Sequence, residues 1–143
     1  MKKIMIINGV NLNMLGIREK GIYGSLDYKG LVDYITDKCK DKNVILDFFQ
    51  SNIEGEVVNC LHNCYFEQYD GVIINPGAHT HYSYAIYDAI KAIAPISVIE
   101  VHISDIHTRE PFRQVSVTAP ACVAQISGKG YDGYIEAVEL LLK

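Results

Sequence analysis

Short apolar runs alternate along the chain with longer segments in which apolar residues recur at helical spacing. The first run, residues 4–7, reads Ile-Met-Ile-Ile and is followed at once by Asn8-Gly9. A short, continuous run with β-branched residues before a glycine is typical of a strand that is buried on both faces. Similar runs occupy residues 43–49, 71–75, 96–101 and 121–127. The pattern therefore predicts five strands.

The segments between these runs have the period of amphipathic helices. In residues 27–40 the apolar positions 28, 31, 32, 35 and 39 fall on one helical face, and Asp27 stands where an N-cap is favoured. The same spacing predicts helices over residues 54–66, 83–93 and 131–142. Because helices alternate with short apolar strands, the sequence predicts an α/β fold. Five strands in this order suit a flavodoxin-like, doubly wound five-stranded parallel sheet with helices on both faces, although the strand order itself is not readable.

The composition narrows the possible classes of protein. The 143 residues are 49% hydrophobic and 21% charged, with a formal net charge of −4, so we expect a single domain over residues 1–143. This charge gives no reason to expect nucleic acid or a membrane surface as a partner. The first apolar run is too short for a signal-peptide core, and no stretch approaches the length of a membrane span. The dispersed Cys39, Cys60, Cys64 and Cys122 are typical of reduced thiols in a cytoplasmic protein.

Polar residues concentrate where the predicted strands end. The first strand is followed by a loop rich in Asn and Gly, residues 8–24, which contains Asn11, Arg18 and Tyr23. The third strand is followed by residues 75–81 and the fourth by residues 102–113, which together hold four of the five histidines. Because the carboxyl ends of parallel strands share one edge of a sheet, we expect these segments to converge on one crevice.

The three arginines, Arg18, Arg109 and Arg113, all fall in predicted loops. A guanidinium group is always charged and binds carboxylates in a fork, so this placement is compatible with a small anionic substrate. Arg18 also lies five residues before Tyr23. A tyrosine would need its pKa lowered by about three units to act as a base near neutral pH, and a neighbouring arginine acts in that direction.

Glu100 and His102 form a second candidate pair. Alternate residues of a strand share a face, so the carboxylate can accept the ring N–H of the histidine and hold its orientation. The main alternative is a metal site, because His79, His81, His102 and His107 could supply zinc or iron ligands. The alternative function is then a metal-dependent hydrolase or lyase that uses His79, His81 and His102. Phosphate-loop and nucleophile-elbow patterns do not match the sequence.

Several motifs, taken together, identify a family that the chain resembles. They occupy residues 8–18, 23–24, 50–55, 75–81, 83–89, 100–104 and 107–113. In this order, and over essentially the full length, they resemble type II 3-dehydroquinate dehydratase, the type II dehydroquinase. The resemblance implies a flavodoxin-like fold and the reversible dehydration of 3-dehydroquinate to 3-dehydroshikimate by anti elimination through an enolate. That reaction serves the shikimate pathway or quinate catabolism, and the family uses no metal, cofactor or Schiff base.

The resemblance also implies roles for individual residues. Tyr23 is the base that takes the proton alpha to the ketone, and Arg18 keeps it as tyrosinate. Asn11 helps to hold a water that stabilises the enolate. His102, oriented by Glu100, is the general acid that lets the hydroxyl leave as water.

A second group of positions matches residues that bind substrate in the family. Asn75, His81 and Arg113 match positions that bind hydroxyl groups, and the backbone N–H groups of Ile103 and Ser104 match a carboxylate-binding turn. Asp88 matches a residue that reaches the site of a neighbouring subunit, since the family forms trimers that assemble into dodecamers. Two positions depart from the family pattern: Val10 stands where proline is usual, and Ile53 stands where histidine is usual.

Overall fold

The computed structural model describes residues 1–17 and 26–143, and all five predicted strands and four predicted helices are present in these ranges. The strands are β1 (Lys2–Asn8), β2 (Val44–Gln50), β3 (Gly71–Asn75), β4 (Ser97–His102) and β5 (Ala124–Ser127). The helices are α1 (Tyr28–Lys38), α2 (Glu54–Phe66), α3 (Tyr84–Ala92) and α4 (Asp132–Leu141). Arg18 and Tyr23 lie outside the described residues.

Most of the predicted bounds agree with the structure to within two residues, and those of α2 and β3 agree fully. The predicted N-cap of α1 is confirmed, because the side chain of Asp27 accepts a hydrogen bond from the N–H of Gly30 at 2.7 Å. The start of the fifth strand was predicted wrongly. The structure begins it at Ala124, because Ala119–Ala121 forms a 3-10 turn that contains a proline in its first positions.

The five strands pair in parallel in the order β2-β1-β3-β4-β5, which confirms the predicted flavodoxin-like, doubly wound sheet. The chain leaves β1 to build β2 on one side and β3, β4 and β5 on the other. Asn8 at the end of β1 is the register partner of Gln50 in β2 and of Asn75 in β3. The direction of winding therefore changes between β1 and β3, which is where ligands bind in sheets of this kind.

The hydrophobic core has two parts, one on each face of the sheet. On one face Ile4 and Ile6 of β1 pack with residues of α1 and α4, such as Leu31 and Tyr134. On the other face Ile7 packs with residues of α2 and α3. Alternation along the strand produces this division, since successive side chains point to opposite faces. The buried sheet holds the carboxyl ends of its strands in fixed positions.

Two further predictions from the sequence concern the cysteines and the membrane. Cys39, Cys60, Cys64 and Cys122 are all free thiols, as predicted. Within residues 1–17 and 26–143, none of the helices has the length and apolar character needed to cross a membrane.

Candidate active site

A cleft opens at the carboxyl edge of the sheet, bounded by the segments that follow β1, β3 and β4. Its polar lining is drawn from all three segments, while Leu12, Leu15 and Ile106 supply apolar surface. The polar side chains that line it are Asn11, Asn75, His81, His102, Ser104, Arg109 and Arg113. The structure therefore brings together residues that are far apart in the sequence.

The ends of β1 and β3 approach each other very closely at the base of the cleft. The N–H of Gly9 donates to the carbonyl of Asn75 at 2.8 Å. A Cβ atom added to Gly9 would lie 2.6 Å from the carbonyl oxygen of Pro76, and one added to Gly77 would lie 2.5 Å from that of Val10. Gly77 also has a φ of +64°, in the left-handed region that favours glycine. Glycine at both positions permits this contact.

Asn11 is held at the rim of the cleft by the segment that follows β2. Its backbone is left-handed, with φ 69°, a conformation that asparagine tolerates better than most residues. Its N–H donates to the side-chain oxygen of Asn52 at 2.9 Å. Gln50 donates to that same oxygen at 3.1 Å and to the carbonyl of Gly9 at 3.2 Å. These bonds explain why Gln50 and Asn52 are polar, which the local pattern alone did not.

The predicted pairing of Glu100 with His102 is present. Both side chains are buried, and His102 Nε2 lies 2.7 Å from Glu100 Oε2. An ionised carboxylate only accepts hydrogen bonds, so the Nε2 proton must point to Glu100. This leaves Nδ1 as the ring nitrogen that can gain or lose a proton toward a ligand. His102 itself lines the cleft.

Glu100 keeps its negative charge because several donors converge on it. Besides His102, its carboxylate accepts from Ser116 at 2.8 Å, from Gln125 at 2.9 Å and from the hydroxyl of Thr118. Burial raises the pKa of Glu100, but the hydrogen bond and positive charge of His102, together with bonds from Thr118 and Gln125, outweigh it and lower the pKa to about 2. The carboxylate is therefore ionised at neutral pH.

His81 presents a different protonation state to the cleft. Its Nδ1 lies 2.7 Å from the carbonyl oxygen of Val115, an acceptor, so Nδ1 carries a proton. Burial is the largest cause that lowers the pKa of His81; the bond to Val115 opposes it, and the nearby charges of His102, Arg113 and Arg109 lower it further. A neutral ring with Nδ1–H has Nε2 as an acceptor, which suits a ligand hydroxyl.

The turn after β4 is fixed through its carbonyl groups. The carbonyl of His102 accepts from Gly128 N–H at 3.2 Å, and that of Ile103 accepts from Gly130 N–H at 3.0 Å. The hydroxyl of Ser127 donates to the carbonyl of Ser104 at 3.2 Å. Ile103 and Ser104 both line the cleft, so this hydrogen-bonded turn forms part of its wall.

Two arginines give this end of the cleft a positive charge. Arg113 forms an ion pair with Glu110 at 3.3 Å, and its guanidinium lies 4.8 Å from the centre of the Phe112 ring. Arg109 lines the same cleft. A carboxylate ligand would meet favourable charge here.

Two of the predicted site residues that the structure describes do not line this cleft: Glu100, which bonds to His102 from within the protein, and Asp88. Asp88 is exposed on α3 and is not among the described residues that line the cleft. Arg18 and Tyr23 lie outside the described ranges. Conversely, Ser116, Thr118 and Gln125 were not predicted to support the site. The signal available for Gln125 was an amide between the apolar residues Ala124 and Ile126 of strand β5.

The predicted metal alternative finds no support in the arrangement of side chains. In the part of the chain that the structure describes, no group of three or more His, Cys, Asp or Glu residues is placed to hold a metal ion. His79 packs edge-on against Tyr82 with 5.7 Å between ring centres, and His81 and His102 are each engaged with another partner. His79 thus lies outside the lining of the cleft, whereas His81 and His102 both line it but are bonded to different partners.

Comparison with known proteins gives a consistent family assignment. The family model described as Dehydroquinase class II matches residues 2–142. A 3-dehydroquinate dehydratase of Clostridium perfringens is 60% identical over 139 residues, which cover 97% of this chain and 96% of the relative. Another, from Fusobacterium nucleatum, is 57% identical and covers 99% of this chain and 97% of the relative. A crystal structure of type II dehydroquinase from Butyrivibrio crossotus has a TM-score of 0.97 at 51% identity, covering 99% of this chain and 98% of that one.

Proposed function

Because the chain belongs to the class II dehydroquinase family, we propose that it is a hydro-lyase that converts 3-dehydroquinate reversibly to 3-dehydroshikimate. The reaction is an anti elimination of water through an enolate. It needs a base for the proton alpha to the ketone and an acid for the departing hydroxyl group. The observation that best supports this function is the buried Glu100–His102 pair in the wall of a cleft that also carries Arg109 and Arg113.

We assign the role of acid to His102. With Nε2–H directed to the Glu100 carboxylate, the protonated ring carries its second proton on Nδ1 and can pass it to the departing hydroxyl. The buried carboxylate fixes the ring orientation through this hydrogen bond. When the proton is given up, the ring stays in a single tautomer, ready for the reverse reaction.

We assign the role of base to Tyr23, with Arg18 as the group that keeps it ionised. This assignment rests on the family motif in the sequence. A tyrosine hydroxyl titrates near 10, so its ionisation near neutral pH requires about 4 kcal/mol of stabilisation. An adjacent guanidinium supplies stabilisation of this order when water is excluded. Asn11, at the rim of the cleft, is proposed to hold the water that stabilises the enolate oxygen.

Substrate binding is assigned to the remaining polar groups of the cleft. The N–H groups of Ile103 and Ser104, in the fixed turn after β4, are proposed to bind the substrate carboxylate. Asn75, His81 and Arg113 are proposed to bind its hydroxyl groups, and the acceptor nitrogen of neutral His81 suits that role. No metal or other cofactor takes part in these steps.

We further propose the assembly and location that are characteristic of the family. Asp88 would reach the site of a neighbouring subunit in trimers that assemble into a homododecamer, and its exposure on α3 supports this role. Each subunit would be a single catalytic domain of residues 1–143. The four free thiols support a cytoplasmic location.

The proposed function is tested by adding 3-dehydroquinate to the purified protein and following the absorbance of the conjugated enone product, with and without a chelator. We expect turnover that the chelator does not affect. Tyr23→Phe and His102→Ala should each lower kcat by about two to four orders of magnitude, the usual contribution of a positioned acid or base. His62→Ala is the matched control, because this histidine is exposed on α2.

Three results would contradict the proposal in different ways. Absence of enone formation by the unaltered protein would reject the reaction itself. Loss of activity on chelation would favour the metal-dependent alternative. Near-normal kcat in Tyr23→Phe or His102→Ala would reject the role assigned to that residue while leaving the reaction in place.

A further inference from the structure

A buried tyrosine joins the two strands at the base of the cleft. Tyr134 belongs to α4, and its side chain is fully buried against the sheet. Its hydroxyl reaches the last residues of β1 and β3, Asn8 and Asn75, which are register partners. Asn75 Nδ2 donates to the Tyr134 hydroxyl at 3.0 Å, and that hydroxyl donates to Asn8 Oδ1 at 2.6 Å.

The directions of these two hydrogen bonds determine how the Asn75 amide is oriented. The Tyr134 proton is directed to Asn8 Oδ1, so the tyrosine oxygen can only accept from Asn75. Asn75 must therefore turn its NH₂ group toward Tyr134. Its own Oδ1 accepts from the N–H of Gly77 at 3.1 Å, which favours the same orientation from the other side.

One polar group of the Asn75 side chain remains for a ligand. An amide NH₂ has two N–H donors, and Tyr134 takes one of them. Asn75 is buried apart from its contribution to the cleft wall. The side chain thus offers the cleft an N–H donor, whereas the flipped amide would offer a carbonyl oxygen.

We propose that Tyr134 is a positioning residue: through its hydroxyl it fixes the amide of Asn75 so that an N–H donor, and not an oxygen, meets a hydroxyl oxygen of the substrate. This inference rests on the proposed function, in which Asn75 binds a substrate hydroxyl. A site that is built to donate to a given oxygen discriminates strongly against a ligand that lacks it. Tyr134, in the core beneath the sheet, would therefore contribute to substrate selection without contacting the substrate.

The test is a kinetic comparison of Tyr134→Phe with the unaltered protein. The variant removes one oxygen atom and leaves the ring in the core. We expect KM to rise by about fivefold to twentyfold with kcat changed much less, because the affected bond is made in both the ground state and the transition state. Tyr69→Phe is the matched control: its hydroxyl donates to Asp47 at 2.6 Å beside the start of β3, at the opposite edge of the sheet. It is expected to lose stability without a change in KM.

A double-mutant cycle with Asn75→Ala separates positioning from general loosening of the fold. If Tyr134 acts through Asn75, Tyr134→Phe should leave KM unchanged once Asn75 is already alanine. An equal rise in KM in both backgrounds would overturn the proposal, as would an unchanged KM in Tyr134→Phe alone. Each KM is compared with that of the unaltered protein, which must first show the proposed activity. Failure of this inference is therefore distinguishable from failure of the proposed reaction.

A second variant tests the same series of hydrogen bonds at Asn8, the acceptor of the Tyr134 proton. Asn8→Ala removes the acceptor that directs the Tyr134 proton, so that hydroxyl becomes able to donate to Asn75 and accommodate the flipped amide. We expect KM to rise in Asn8→Ala as well, again only while Asn75 is present. If Tyr134→Phe does not fold, this variant alone decides the proposal, and an unchanged KM rejects it.

Discussion

At the scale of single residues, the Glu100 carboxylate is the group whose surroundings most need explanation. A buried charge is unfavourable unless it is paired and fully hydrogen-bonded. Here four side chains donate to one carboxylate, from His102, Ser116, Thr118 and Gln125. The Thr80 hydroxyl lies 2.7 Å from the hydroxyls of both Ser116 and Thr118, and it can donate its single proton to one of them. The charge that orients the proposed acid is thus stabilised by a network and not by a single pair.

The network predicts a specific dependence of stability on acid pH. The pKa of Glu100 is lowered to about 2 in the folded protein, below its value in the unfolded chain. The resulting stabilisation, about 3 kcal/mol, is present above the unfolded pKa and is lost as pH falls through the folded pKa. The free energy of unfolding, measured with urea, should therefore decline from about pH 5 to pH 2.

Glu100→Gln should be less stable than the unaltered protein at neutral pH. Its free energy of unfolding should also fall less steeply between about pH 5 and pH 2, because the titrating carboxylate is gone. Glu110→Gln is the control, since Glu110 is an exposed carboxylate next to Arg113. Parallel pH curves for the unaltered protein and Glu100→Gln would show that Glu100 is not the titrating group.

Part of this network was predictable from the sequence. Strand alternation was sufficient to predict that Glu100 and His102 share a face, because that relation is local. Ser116, Thr118 and Gln125 lie 16, 18 and 25 residues from Glu100, and no periodic pattern encodes contacts over such separations. The position of Ser116 and Thr118 depends on the irregular segment that precedes β5, where the predicted strand start was also wrong.

At the scale of elements, the ends of β1 and β3 form the rigid base of the cleft. Because Gly9 and Gly77 have no Cβ atom, the backbones at these two strand ends can come closer than side chains would allow. The individual strands were predictable from their apolar runs. Their adjacency was not, because the order β2-β1-β3-β4-β5 is decided by packing between distant segments. The contact between these two loops could not be derived before that order was known.

The close approach predicts that Gly77→Ala is much more harmful than an otherwise similar substitution. Gly77 and Gly130 both have positive φ, +64° and +59°, so alanine is strained at both positions by about 1 kcal/mol. Only at Gly77 would the new methyl group also overlap the carbonyl of Val10. We expect Gly77→Ala to cost at least about 2 kcal/mol more in urea unfolding than Gly130→Ala, and to lower kcat/KM. Equal losses in the two variants would show that the loops adjust without cost.

At the scale of the whole molecule, the cleft collects residues from the ends of β1, β3 and β4, which the fold brings to one edge. The parallel arrangement made that convergence predictable, since it follows from the direction of the strands. Asp88 is the exception: it is exposed on α3 and does not line the described part of the cleft of its own chain. Its proposed role therefore depends on assembly, which the pattern of a single chain does not encode.

Mixed assemblies can test whether Asp88 acts across subunits. His102→Ala lacks the proposed acid in its own cleft, while Asp88→Ala would lack a group donated to a neighbour. When the two variants are co-expressed, some sites combine an intact cleft from one chain with Asp88 from the other. Random assembly should restore about one quarter of the unaltered activity, because each of the two requirements is met in half of the cases.

The matched control is co-expression of His102→Ala with Asn75→Ala. Both residues line the cleft of the same chain, so no mixed site regains both, and activity should stay at the level of the separate variants. Mass spectrometry of the intact assemblies verifies that the two chains have mixed. If the Asp88→Ala mixture assembles but gains no more activity than this control, Asp88 does not serve a neighbouring site. Recovery in the Asp88→Ala mixture alone would place part of each active site on a second subunit and make assembly a condition of catalysis.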